Sequence, residues 1–94
     1  MLARNFRTRR GEIDLIAEKD STIVFIEVKT WIRTGFEDLE YAMNEQKMKR
    51  IIAASKEFIY RNPEYENRQA RYDMVFIGND FSLEHIVDAF TETL

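Results

Sequence analysis

Polar and apolar residues alternate over 12–18 (EIDLIAE), which places Glu12, Asp14 and Ile16 on one face of an extended chain and Ile13, Leu15 and Ala17 on the other. The segment 22–30 (TIVFIEVKT) is rich in β-branched and aromatic types and apolar on both faces in its first half, as a central strand should be. Lys19-Asp20-Ser21 between them is polar and turn-like. Residues 2–7 predict a further short strand, 71–77 (RYDMVFI) another, and 83–90 a last one after the turn Gly78-Asn79-Asp80. Residues 31–36 contain Gly35 and read as a loop, and 64–69 as a polar irregular stretch. From about Glu37 to Arg61 the apolar spacing is helical, and Asn62-Pro63 ends it because proline turns the preceding residue away from helical geometry. The order β-β-β-α-β-β predicts an α/β (α+β) fold. Its mixed five-stranded sheet has parallel third and fourth strands joined by one long, right-handed crossover helix.

A two-residue Asp20-Ser21 turn would set Lys19 against Thr22, Asp14 against Glu27 and Glu12 against Lys29. Side chains so paired share a face, with Cβ atoms about 4.5–5.5 Å apart. Asp14, Glu27 and Lys29 then form one cluster, in which two carboxylates repel unless something offsets their charge. A divalent cation such as Mg²⁺ or Mn²⁺ would do so, with Lys29 beside it to orient a nucleophile or stabilise developing charge during phosphodiester hydrolysis. The plain alternative is a solvated salt-bridge cluster on a half-exposed sheet, each pair contributing about 0–1 kcal/mol.

The helix adds a second clue. Met43, Ile51, Ala54 and Phe58 make one apolar arc continued by Met48, Ile52 and Ile59, yet Glu40 and Lys47 fall inside it. A charge on a core-facing stripe is costly unless paired or set beside a polar site, so Lys47 is expected either to reach the carboxylates or a phosphate, or to snorkel at the rim.

With 94 residues, 45% of them hydrophobic, the chain is of a size for one domain, 1–94. There is no cysteine, which excludes thiolate cages and thiol nucleophiles, and the single histidine, His85, leaves little for imidazole chemistry and reads as structural. No glycine-rich phosphate loop is present. No apolar run reaches bilayer length and the Arg-rich start lacks a signal-peptide core, so the sequence reads as cytoplasmic, without a membrane partner. The net charge of −3 argues against a nucleic-acid binder until its distribution is read. Residues 1–10 hold four arginines and no acid, and 46–71 hold seven bases against three acids. Arg4, Arg7, Arg9 and Arg10 are therefore candidates for tracking phosphates, or else an ordinary basic edge strand. Asp73 reads as a turn or salt-bridge partner, and Tyr60, Tyr65, Phe76, Phe81 and Phe90 as core.

Several strings together carry a family resemblance. They are Ala3-Arg4-Asn5 before an aromatic, Arg9-Arg10-Gly11-Glu12-Ile13-Asp14-Leu15-Ile16, Val24-Phe25-Ile26-Glu27-Val28-Lys29-Thr30, Lys47 with Arg50, Arg71-Tyr72-Asp73, and the closing His85-Ile86-Val87-Asp88-Ala89-Phe90. Over most of its length the chain resembles the bacterial YraN-type family, uncharacterised proteins with the restriction-endonuclease-like PD-(D/E)xK fold, related to archaeal Holliday-junction resolvases. The resemblance implies that Asp14 and Glu27 bind metal with the Val28 carbonyl as an extra ligand, and that Lys29 is the catalytic lysine. Family members usually begin with another helix bearing a glutamate, and the resemblance implies that this helix is missing here. Where the family continues with basic residues after Thr30, this chain has Trp31-Ile32, with Trp31 expected to cover apolar surface or stack on a base.

The leading expectation is a Mg²⁺-dependent endonuclease acting on DNA, branched DNA included, with two-fold symmetry in a homodimer suiting such a substrate. Its catalytic residues would be Asp14, Glu27, Lys29 and Lys47, and its phosphate-binding residues Arg4, Arg7, Arg9, Arg10, Lys47 and Arg50. The competing expectations are a nucleic-acid-binding module without efficient cleavage, and a plain interaction domain on the same fold.

Overall fold

The computed structural model describes residues 1–31, 44–78 and 80–92, with the backbone alone at Trp31. Strands β1 (Ala3–Arg7), β2 (Glu12–Lys19) and β3 (Thr22–Trp31) precede helix α1 (Glu45–Arg61), a short 3-10 turn (Pro63–Tyr65), β4 (Gln69–Gly78) and β5 (Leu83–Phe90). The strands lie in the order β1-β2-β3-β4-β5. The β3–β4 pair is parallel and the others antiparallel. The expected mixed α+β sheet with a helical crossover between its third and fourth strands is thus present.

The two-residue turn predicted at Asp20-Ser21 sets the register as expected, with Lys19 opposite Thr22, Ile16 opposite Phe25 and Leu15 opposite Ile26. Asp20 supplies the positive φ of 56° at the first turn position, which matches the twist of the flanking strands. Beyond Leu15 the expected regularity fails. Ile13 and Ile16, three positions apart, are both fully buried in one core, which strict alternation forbids. The chain turns over between them, at Asp14, opposite which the β1–β2 register sets Asn5 with a φ of 51°. Such local irregularities re-aim side chains, and here the side chain is that of Asp14.

Helix α1 covers the face carrying Ile23, Phe25, Tyr72, Met74 and Phe76. Ile51, Ala54 and Phe58 form its buried stripe. The Phe58 ring lies tilted 5.3 Å from Phe6 and 6.2 Å edge-on to Phe25, and Phe25 stacks 5.5 Å from Tyr72. Each such buried side chain contributes about 1.5–3 kcal/mol. Gly11 lies so close to this helix that a Cβ added there would stand 2.5 Å from the Arg50 carbonyl oxygen. The β1–β2 turn is therefore docked on the helix through a position that only glycine fits.

Three expectations need correcting. The helix ending at Arg61 does not run unbroken from Glu37: Asn44 is extended (φ −68°, ψ 152°) and its Oδ1 caps a helix starting at Glu45. An asparagine followed by an acid in the first turn is a helix-start signal, and the apolar arc running through it masks that signal. Tyr60 (86% exposed) and Phe81 (89% exposed) are outside the core, whereas Phe76 and Phe90 are inside. Tyr60 sits on the solvent side of α1, and Phe81 in the β4–β5 turn with a φ of 64°. The expectations placed on Gly35, Glu40, Met43 and the side chain of Trp31 lie outside the described residues.

Candidate functional site: an acid–lysine cluster on a basic cleft

Glu27 continues the row of Ile23 and Phe25 on the core face of β3, and this alternation alone would drive a carboxylate into the apolar layer. It is 8% exposed. Burial at that cost requires partners. Lys47 Nζ stands 3.0 Å from Glu27 Oε1, and Lys29 Nζ 3.8 Å from the same oxygen. Lys47 reaches it because it lies on the same helical stripe as Ile51, Ala54 and Phe58, one turn before the core begins. Asn44 fixes the start of that turn by accepting the Lys47 amide at 2.8 Å.

Asp14 arrives from the other strand. The β2–β3 ladder runs from Lys19↔Thr22 to Leu15↔Ile26, and just past it the Asp14 Oδ2 accepts a hydrogen bond from the Val28 amide at 2.7 Å. A carboxylate thus replaces a backbone carbonyl where the strands part. The N–H and C=O of one strand residue point to the same edge, so the Val28 carbonyl also faces the Asp14 side. Neither expected ladder pair beyond Leu15 is formed: Asp14 meets the Val28 amide instead of standing opposite Glu27, and Glu12 pairs with Arg7 across β1–β2 at 3.5 Å instead of with Lys29, because this part of β2 has left β3.

The electrostatics follow from this crowding. Burial pushes the Glu27 carboxyl above its ordinary value and Asp14 adds to the push, while the hydrogen bond from Lys47 opposes it. The hydrogen bond with Lys47, followed by burial, holds the Lys29 amine below the usual lysine range. Burial also disfavours the charge on Lys47, but hydrogen bonds to Lys29 and Glu27 outweigh it and keep its pKa above the usual value.

Asp14, Glu27 and Lys47 open onto a cleft of about 760 Å³ whose rim carries Arg7, Arg9, Arg10 and Arg50. The Thr8 hydroxyl holds the arginine turn by accepting the Arg10 and Gly11 amides at 3.0 and 3.1 Å. Arg4 lies elsewhere, over a hollow shared with Asn5, Leu15, Val28 and the other side of Asp14. Among the described residues no three Asp, Glu or His side chains converge. The donors available to a hard cation are the Asp14 and Glu27 carboxylates and the Val28 carbonyl. That set fits Mg²⁺, which is commonly held by one or two carboxylates and completes its shell with water and phosphate oxygens.

A second polar cluster surrounds Asp73, expected from the sequence to be a turn or salt-bridge partner and here found as the latter. Asp73, 1% exposed, accepts the Arg71 guanidinium at 2.9 Å through both carboxylate oxygens, His85 Nε2 at 2.8 Å and the Asp88 amide at 2.9 Å. It pins a register shift in which β5 bulges between the pairs Tyr72↔Phe90 and Met74↔Ile86, with Asp88 at a φ of 56°. The ion pair was expected from the position of Asp73 at a strand start; the bulge that brings the Asp88 amide to it leaves no mark in a periodicity.

Fold and cluster together define a small α+β protein whose mixed sheet gathers two acids and two lysines where a hairpin parts. The chain belongs to the uncharacterised protein family UPF0102, whose sequence profile matches residues 1–77 and so includes every residue of the acid–lysine cluster. A UPF0102 protein of Rhodopseudomonas palustris is 38% identical over 93 residues, spanning 99% of this chain and 70% of its own length. Relatives of the same description from Treponema pallidum and Treponema denticola are 38% and 39% identical, covering 98% and 96% of this chain and 78% and 79% of theirs. Among the described residues no helix is long and apolar enough to cross a membrane.

Proposed function

We propose that this chain is a Mg²⁺-dependent endonuclease that hydrolyses DNA phosphodiester bonds, branched DNA included. The observation that carries the reading is the buried Glu27 beside Asp14, facing two lysines at the mouth of an arginine-rimmed cleft. A carboxylate placed in a core row and then neutralised by a lysine on a separate helix is poor design for stability alone, since ion pairs of this kind rarely repay their desolvation. The resemblance of the Asp14, Glu27 and Lys29 spacing to PD-(D/E)xK nucleases points the same way.

In this reading Asp14, Glu27 and the Val28 carbonyl hold the cation. When bound, the cation supplies charge neutralisation at the phosphate and lowers the pKa of a coordinated water. Lys29, whose ammonium stands 3.8 Å from Glu27 Oε1, orients the attacking water or stabilises the developing charge. Lys47, on the cleft wall beside Glu27, stabilises the developing negative charge on the phosphate. Arg7, Arg9, Arg10 and Arg50 hold the flanking phosphates along the cleft. Two-fold related copies would present two such clefts to a junction.

A second reading has one observation in its favour. Only two carboxylates reach the cluster among the described residues, and one is already neutralised by Lys47. That suits a module that binds nucleic acid without cleaving it efficiently. Incubating linear and branched DNA with wild type and Asp14→Asn, with and without Mg²⁺, separates the two. Cleavage that needs both Mg²⁺ and Asp14 supports the nuclease. Salt-dependent binding with no cleavage under any condition supports the module.

A further inference from the structure

Lys47 and Lys29 address one and the same carboxylate oxygen, Oε1 of Glu27, from 3.0 and 3.8 Å. The two are mounted differently. Lys29 stands on β3 two residues from Glu27 and shares its face, so it cannot leave the neighbourhood. Lys47 stands in the first turn of α1, across the cleft, and its side chain is 27% exposed on the wall formed with Asn44, Gln46 and Arg50. It has somewhere to go.

A small dication draws carboxylate oxygens to about 2.0–2.1 Å and tolerates little distortion of its shell. An oxygen already engaged by one ammonium at hydrogen-bond distance and approached by another is a poor ligand for such an ion. Resting on the reading that Asp14 and Glu27 hold a divalent cation, we propose that the Lys47 ammonium is a built-in counter-ion that occupies Glu27 until the metal arrives and must withdraw for it to bind. The pair answers a problem visible in the fold: a nearly buried carboxylate close to a second acid would be costly unneutralised. Lys47 supplies that charge in the metal-free protein.

The exchange also links the two ligands. Once displaced, the Lys47 ammonium faces a cleft whose rim carries Arg7, Arg9, Arg10 and Arg50, a set suited to phosphate. A phosphate that engages Lys47 frees Glu27 for the cation, and a cation at Glu27 frees Lys47 for the phosphate. Linkage makes this coupling reciprocal, so each ligand tightens the other.

The test is calorimetric titration of MnCl₂ into folded wild type, Lys47→Met and Lys29→Met. If the uncovered state of Glu27 is populated about one time in ten, removing the ammonium tightens Mn²⁺ binding about tenfold, while Lys29→Met gives a clearly smaller gain. Equal gains in the two variants would reduce the effect to lost positive charge and overturn the inference, as would no gain in Lys47→Met. Absence of Mn²⁺ binding in all three proteins would overturn it together with the metal reading beneath it. A measurement on wild type alone covers the case of a poorly folding variant. Acylation of Lys47 by an amine-reactive ester, read by peptide mass spectrometry against exposed Lys49, should accelerate when Mn²⁺ is added. Labelling that stays flat while Mn²⁺ binds would sink the counter-ion role and leave the metal site standing.

Discussion

The Asp14 carboxylate accepts the Val28 amide at 2.7 Å, so one acid both closes the gap between β2 and β3 and borders the cleft. The two roles separate by substitution. Asn keeps a carbonyl that accepts from Val28 but loses the charge, so Asp14→Asn should unfold within about 1 kcal/mol of wild type while losing cation binding and cleavage. Asp14→Ala leaves the Val28 amide without that acceptor and should cost about 1–3 kcal/mol in denaturant unfolding. An Asn variant as unstable as the Ala variant would mean that the charge itself holds the strands.

Gly11 allows the arginine turn to dock on α1. Placing a Cβ 2.5 Å from the Arg50 carbonyl oxygen cannot be relieved by rotating a side chain, because the obstacle is backbone. Gly11→Ala should therefore cost about 1–3 kcal/mol, as overpacking commonly does. It should also weaken DNA binding, by moving Arg9 and Arg10 off the cleft. Unchanged stability in thermal unfolding would show that the turn shifts freely.

The arginines divide by position. Arg10 and Arg50 line the cleft, whereas Arg4 lies over the separate hollow beside Val28. Replacing Arg10 or Arg50 with Ala should lower DNA affinity and reduce the slope of log K against log salt by about 0.9 for each phosphate that the arginine neutralises. Arg4→Ala should leave the slope unchanged. Equal slopes for all three variants would remove the cleft as the phosphate track.

Asp73 carries the clearest pH dependence. Burial alone would raise its pKa, but hydrogen bonds from Arg71, the Asp88 amide and His85 prevail and hold it below the ordinary 3.8. A carboxyl whose folded value is depressed adds stability that is fully present above the unfolded value and disappears as pH falls through the folded one. Asp73→Ala should thus cost about 3 kcal/mol at neutral pH, leaving Arg71 and the bulge unpartnered. The gap to wild type should narrow only as the pH drops below 3.8. A gap independent of pH down to full protonation would contradict the ionised assignment.

These particulars show where one-dimensional reading works. The register of β2 and β3 was legible from Lys19↔Thr22 to Leu15↔Ile26 because a two-residue turn fixes parity, but the expected Asp14↔Glu27 and Glu12↔Lys29 pairs lie past the point where the ladder ends. Lys47 was legible as a charge out of place on an apolar stripe. Other features depend on exceptions to a period. Ile13 and Ile16 share a core only because the strand turns over at Asp14, and Asp73 gathers its partners only because β5 bulges. A periodic pattern carries no record of its own interruptions, and those interruptions aim Asp14 and bury Asp73.

The parallel pairing of β3 with β4 has a consequence for how the cluster is built during synthesis. The β1–β2 and β2–β3 hairpins close over short turns, whereas β4 can join β3 only after the whole crossover has been made. A chain leaving the ribosome N-terminus first would bring its two acids together before Lys47 has a scaffold to stand on. For that interval the nascent hairpin holds its two acids with Lys29 as their only nearby ammonium among the described residues, one positive charge against two negative ones.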